Sequence, residues 1–288
     1  MIEFWQNLPY YLDPVIFQIN GFKVSWYWLM YVVGFFVVTL LVKYRIKKRG
    51  IDSQKAQLIL DALFWMFLGL IIGARLGYVL FYNLGFYLAD PLAIINPFVL
   101  KQGQWVYQGI YGMSYHGGMI GVIISLLIYT RIKNIGFLKT ADFIIPAIPL
   151  GFFFGRIGNF LNGELYGRIT ESKIGMYFPN ALYYDQSAKL RHPSQLYEAF
   201  FEGIILFIIL WILRNKIKVA GLLSALYLIF YAIFRFFIEF FRQPDFHLGF
   251  VLGSFSMGQV LSILMFVLGL TIFIFQIIRN NQLRKINH

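Results

Sequence analysis

The chain has 288 residues, 59% hydrophobic and 20% aromatic, and only 13% are charged, about half the share of a soluble domain. That composition excludes an ordinary soluble globule and points to a polytopic membrane protein. The net charge is +12 and cysteine is absent, which rules out disulfides, a thiol nucleophile of the chain's own and cysteine metal sites.

The opening residues, MIEFWQNLPYYLDPVIF, have no basic region and no small-residue cleavage site. They read as an aromatic interfacial segment and not as a cleaved signal. Seven stretches then carry the roughly 20 apolar residues needed to cross about 30 Å of hydrocarbon. They are 24–42, 57–82, 112–130, 140–162, 194–213, 221–241 and 255–278. The expected fold class is therefore all-α, one integral membrane domain over 1–288 with seven transmembrane helices. Lys43, Arg45, Lys47, Lys48, Arg49 and Lys55 follow the first stretch, and Arg131, Lys133 and Lys139 follow the third. Arg214, Lys216 and Lys218 follow the fifth, and Arg279, Arg284 and Lys285 follow the last. The connections on the other side are longer and hold only Lys23, Lys101, Arg168, Lys173, Lys189 and Arg191. The positive-inside rule puts the N-terminus outside and the C-terminus in the cytoplasm. The basic character then reflects topology and anionic lipid, and no nucleic-acid partner is expected. Connections 83–111 and 163–193 are long and punctuated by turn residues, so they are expected to form a small external cap, with short strands in the second. No internal repeat is visible, which counts against an inverted-repeat transporter.

Polar residues inside the spans are costly and call for partners or a function. In the first span, Tyr27 and Tyr31 stand at i, i+4 and read most simply as interfacial aromatics. In the second, Gly69, Gly73 and Gly77 form a packing face beside Arg75. His116 opens the third, followed by Gly117 and Gly118. It is either a satisfied polar residue or a group titrating near neutrality with room for a substrate beside it. The fourth ends in GFFFGRIGNFLNGELYGR, where Arg156, Asn159 and Asn162 share one face. Gly151, Gly155 and Gly158 there admit a second backbone or a lipid headgroup; the plainer reading is polar glue between helices. In the fifth, Glu198 and Glu202 are candidate partners for stray arginines. In the sixth, Arg235, Glu239 and Arg242 lie at i, i+4, i+7. Two arginines to one carboxylate leave positive charge that an anion such as a phosphate would complete. No histidine has a second ligand at i+3 or i+4, so no metal is expected.

Residue patterns alone thus describe a site near the outer boundary, suited to an anionic lipid headgroup and to acid–base chemistry. An anionic-lipid or small-anion transporter is the alternative. It would need polar positions through the full bilayer depth, and Asp61 and Asp142 near the inner ends leave some room for it. A structural scaffold would not need uncompensated arginines.

GRIGNFLNGELYG resembles the signature of the prolipoprotein diacylglyceryl transferases. WYWLMY, GARLGYVLFYN, SYHGGMIGV, RHPSQLYE and FRFFIEFFRQPD resemble further motifs of that family in the same order. The resemblance implies a seven-span bacterial inner-membrane transferase with a periplasmic cap. It implies transfer of the diacylglyceryl group of phosphatidylglycerol to the lipobox cysteine of a prolipoprotein signal peptide, releasing glycerol 1-phosphate, with no cofactor. By motif position it implies Arg156, Arg235 and His116 as catalytic residues. Tyr27, Asn159, Glu164, Gly167, Glu239 and Arg242 join Arg156 as substrate-binding positions.

Overall fold

The computed structural model describes residues 1–19, 22–101, 104–107, 112–183, 188–243 and 250–286. The chain is mostly helical. The long helices are α1 (Trp26–Lys48), α2 (Ser53–Tyr82), α3 (Tyr115–Ile132), α4 (Phe137–Leu161), α5 (Ser194–Leu213), α6 (Leu222–Ile238) and α7 (Met257–Ile286). Among the described residues, α1, α2, α4, α5 and α7 are long and apolar enough to cross a membrane, and α3 and α6 are shorter apolar helices. Each expected stretch holds one of these helices. α1, α2 and α7 run past the apolar windows because Lys, Arg, Gln and Ala continue a helix as well as apolar residues do. Between the helices lie short antiparallel pairs, so the chain is not purely α. Phe98–Lys101 pairs with Gln104–Tyr107, Met176–Tyr177 with Leu190–Arg191, and Phe250–Leu252 with Phe255–Ser256. The second of these supplies the strands expected in 163–193. Positions 102–103 and 108–111 of the connection 83–111, and 184–187 of the connection 163–193, lie outside the described residues.

The chain forms two compact units, one of residues 18–23 and 43–140, the other of 1–17, 24–42 and 141–288. In the former, α2 and α3 pack backbone to backbone along the glycine face foreseen for α2. A methyl group on Gly77 would sit 2.6 Å from the Gly117 Cα, and one on Gly73 2.7 Å from the Gly121 Cα. Small residues of this kind let helices approach closely in lipid, where apolar burial gives no drive. Each helix starts on a side-chain cap: Asp52 accepts from the Lys55 amide at 2.9 Å, and Ser114 from the Gly117 amide at 3.3 Å. Arg75 donates to the carbonyls of Ala93 and Ile94 at 2.8 and 2.7 Å and to that of Gly112 at 3.3 Å. Its guanidinium also lies over the Tyr87 ring. Arg75 therefore ties down the connection after α2.

In the other unit, prolines shape α4. Pro146 and Pro149 interrupt its hydrogen-bond ladder, and a 3-10 turn, Ile145–Ala147, joins Phe137–Ile144 to Ile148–Leu161. α1 crosses the second half closely: a methyl group on Gly34 would meet the Gly151 carbonyl at 2.9 Å. Asp142 caps α6 from α4, accepting from the amides of Gly221 and Ser224 at 2.6 and 2.8 Å and from the Ser224 hydroxyl at 2.6 Å. α5 widens into a π-helical segment, Ala199–Ile205, between its α-helical ends. After α4 the chain builds a small apolar core of Phe160, Met176, Phe178 and Ala181, against which Leu8, Leu12, Tyr166 and Leu196 pack.

Candidate active site

Three helices of the second unit converge on one ionic cluster. α4 contributes Arg156, α5 contributes Glu198 and Glu202, and α6 with the turn after it contributes Arg235, Glu239 and Arg242. Glu198 is the hub. Its Oε2 meets Arg156 Nε at 2.7 Å, and its Oε1 meets Arg235 Nη1 at 2.8 Å and Arg242 Nη1 at 3.0 Å. Glu239 meets Arg235 Nη2 at 2.8 Å and accepts a hydrogen bond from the Ser256 hydroxyl at 3.0 Å. Gly258 makes room for that carboxylate, because a methyl group there would lie 2.6 Å from it.

The cluster is layered. The Glu198 and Glu202 side chains are completely buried, whereas those of Arg156, Arg235 and Arg242 are 12%, 13% and 12% exposed. The Glu198 and Glu202 carboxylates are sealed from solvent, and the arginine side chains keep a little exposed surface. Charge pairs so poorly solvated are strong only while complete, since removing one partner strands the other in a low dielectric. This arrangement holds fixed positive charge without letting it relax, which suits an incoming phosphate.

A second arm leads away from Arg156. Its Nη1 donates to Asn159 Oδ1 at 3.3 Å, and Asn159 Nδ2 donates to Glu164 Oε1 at 2.9 Å. The turn that carries Glu164 is clipped to the start of α5: Gln195 Nε2 donates to the Glu164 carbonyl, and the Ser194 hydroxyl donates to the Leu165 carbonyl at 2.9 Å. Gly167 threads between two strands of backbone, where a methyl group would meet the His192 carbonyl at 2.7 Å and the Phe241 carbonyl still closer. Its amide donates to the His192 carbonyl at 2.8 Å, and the Arg168 side chain donates to the carbonyls of Arg242 and Glu239 at the end of α6. The segment after α4 is thereby locked to the ends of α5 and α6. His192 shares a hydrogen bond with the Tyr197 hydroxyl at 3.1 Å, and burial pushes its imidazole below its ordinary range. Tyr27 lies under Gly158, its Cα 3.3 Å from where a methyl group would stand, and its hydroxyl is 3.1 Å from that of Tyr31.

The structure thus joins Arg156, Asn159, Glu164, Arg235, Glu239 and Arg242 into one network, with Gly167 and Tyr27 in the same unit. His116 stands in the first turn of α3, in the other unit, with an exposed side chain. Several expectations need correction. The Arg235–Glu239–Arg242 ladder is not self-contained, because Glu198 adds a second carboxylate that it shares with Arg156 of α4. Gly117 does not open space for a substrate: it is filled by Gly73 and Gly77. Gly151 and Gly158 likewise face the backbone of α1, and only Gly155 is nearly open, with the Tyr31 ring at 4.0 Å. Asp142 is a helix cap, and Asp61 accepts from Gln57 one turn earlier in α2 at 2.6 Å. The sequence had offered Glu198 as a partner for an arginine, but its three-way role was missed, since that depends on helices distant in the chain.

A family model described as prolipoprotein diacylglyceryl transferase matches residues 14–275. A phosphatidylglycerol–prolipoprotein diacylglyceryl transferase of Chlorobaculum tepidum is 54% identical over 277 residues, covering 95% of this chain and 94% of that protein. Proteins of the same name from Campylobacter lari and Geobacter sulfurreducens are 46% and 44% identical, covering 93% and 91% of this chain and 95% and 94% of their own.

Proposed function

The chain belongs to the prolipoprotein diacylglyceryl transferase family, and we propose that it moves the diacylglyceryl group of phosphatidylglycerol onto the lipobox cysteine thiol of a prolipoprotein signal peptide. It is a transferase acting at the diacylglyceryl transfer step of lipoprotein maturation. The observation that carries the chemical reading is the cluster of three arginines, each slightly exposed, gathered on the fully buried Glu198 carboxylate.

The nucleophile is the substrate's thiolate, which attacks C3 of the glycerol as the bond from that carbon to the phosphate oxygen breaks. A thioether forms and glycerol 1-phosphate leaves. Negative charge grows on the departing phosphate oxygen, and Arg156 and Arg235 meet it with charge already in place. Glu239 holds Arg235, Arg242 shares Glu198 with it, and Asn159, itself held by Glu164, orients Arg156. Gly167 and Tyr27 shape the ground around the substrate. Both substrates are membrane-tethered, so orientation supplies much of the acceleration.

Only the thiolate is reactive, and His116 is assigned as its general base. A His116→Gln variant is expected to change the pH–rate profile; a profile superimposable on wild type removes His116 from that role.

The same reading places seven spans in the bacterial inner membrane, with the N-terminus and the site on the periplasmic side and 83–111 and 163–193 as the cap. The distribution of basic residues supports it. The transporter alternative loses its footing at the inner end, where Asp61 and Asp142 are occupied locally.

Reconstitution with phosphatidylglycerol and a lipobox peptide is the direct test. The peptide is expected to gain the mass of a diacylglyceryl group as glycerol phosphate appears, and its Cys→Ala counterpart to stay unmodified. An inserted, folded protein that leaves the cysteine peptide unchanged overturns the proposal.

A further inference from the structure

Glu202 differs from the other carboxylates of the cluster. Its side chain is completely buried, and neither carboxyl oxygen has a hydrogen-bond partner among the described residues. Its approach to Arg235 Nη1 is 3.9 Å, beyond hydrogen-bond reach, while Glu198 and Glu239 meet the same guanidinium at 2.8 Å. It lies in the middle of the π-helical segment of α5, and Gly203 next to it packs on Phe153 of α4. π segments are rare and frequently mark functional positions, because they turn a side chain where a regular helix would not.

An ionised carboxylate that is sealed from water and accepts no hydrogen bond is one of the costliest groups a protein can carry; a neutral carboxylic acid in the same place costs far less. The charged groups that face Glu202 are Glu198 on its own helix, Arg156 on α4, and Arg235 and Arg242 on α6. With Glu198 and Glu239 ionised against three arginines, the cluster's charge depends on Glu202. We propose that Glu202 is held as a neutral acid, so that the resting cluster keeps one positive charge for a monoanionic phosphodiester. The phosphodiester part rests on the function proposed above; the neutral acid does not.

Two measurements on the full chain test this. Infrared spectra of the lipid-free protein should contain the carbonyl stretch of a protonated, non-hydrogen-bonded carboxyl. That band should vanish in Glu202→Gln, or in Glu202→Met should the first variant fail to insert, and persist in the exposed-site variant Glu171→Gln. Its absence from the wild type, or its survival in the Glu202 variants, overturns the assignment. In the transfer assay, raising the pH should ionise Glu202, cancel the spare positive charge and raise the wild-type KM for phosphatidylglycerol. Glu202→Gln should lack that rise, and a matching KM–pH profile in both proteins overturns the role of Glu202 in setting the cluster's charge. If the wild type never transfers, the function proposed above fails while the infrared result still decides the state of Glu202.

Discussion

Arg235→Ala is expected to lose turnover by about 10²–10³-fold or more, the effect of deleting one preorganised donor to developing negative charge. It should also lower stability markedly. Arg235 is the guanidinium shared by Glu198 and Glu239, at 2.8 Å from each. Its removal leaves Glu239 with the Ser256 hydroxyl alone, and stranding one buried charge costs about 3–5 kcal/mol. Arg156→Ala should match it in turnover but not in stability, because Glu198 then still holds Arg235 and Arg242. That separation is the informative part. If both variants merely disturbed folding, activity and thermal inactivation would fall together in each; if the arginines serve the phosphate, Arg156→Ala stays folded and inactive. Arg235→Lys keeps a charge but not the fork that spans two carboxylates, so partial stability without normal turnover is its expected phenotype. Transfer assays beside thermal inactivation of purified protein resolve all three. Wild-type turnover in both alanine variants removes the clamp from the mechanism.

The helices were legible because an apolar window of membrane length leaves few other structures open. The interruptions within them were less so. The 3-10 turn in α4 has a local cause in Pro146 and Pro149, whereas the π segment of α5 has no comparable mark in AFFEGII. The arginines were found because each breaks an oily stretch, and the spacing of Arg156 and Asn159 put them on one face. Spacing reports only on neighbours within a helix, however. It counted charge along α6 alone and had no means to see Glu198, on α5, shared between Arg235, Arg242 and Arg156 of α4. The glycines show the same limit: periodicity says that something comes close, not whether it is a ligand or another helix. Gly117 and Gly158 turned out to face helices. Family resemblance, which joins motifs across the whole chain, implied Arg156 and Arg235 together as catalytic residues, and in the structure each meets Glu198.

Glu198→Gln is the second large effect expected, although Glu198 sits behind the guanidinium groups that would touch a substrate. The substitution preserves volume and removes one negative charge from beneath three arginines, at 2.7, 2.8 and 3.0 Å. Two consequences follow. Positive charges left without their common partner should lower stability by about 3–5 kcal/mol. The arginines should also splay, and a misplacement of about 1 Å at a preorganised site costs roughly 10²-fold in rate. Glu198→Asp separates the two, because it keeps the charge on a stem one methylene shorter. A shorter carboxylate that cannot reach α4 and α6 together should recover much of the stability and little of the turnover. Pairing Glu198→Gln with Arg242→Gln gives a further check. Removing one arginine along with the carboxylate relieves repulsion, so the double variant should be more stable than the sum of the singles by a coupling of about 0.5–3 kcal/mol. Strict additivity would mean that Glu198 and Arg242 do not share a network in the membrane-embedded protein, and the hub would then reduce to a pair with Arg156 and Arg235. A Glu198→Gln protein with ordinary turnover would go further: the forward edge of the arginines would need no carboxylate behind it, and the layered arrangement would lose its role in catalysis.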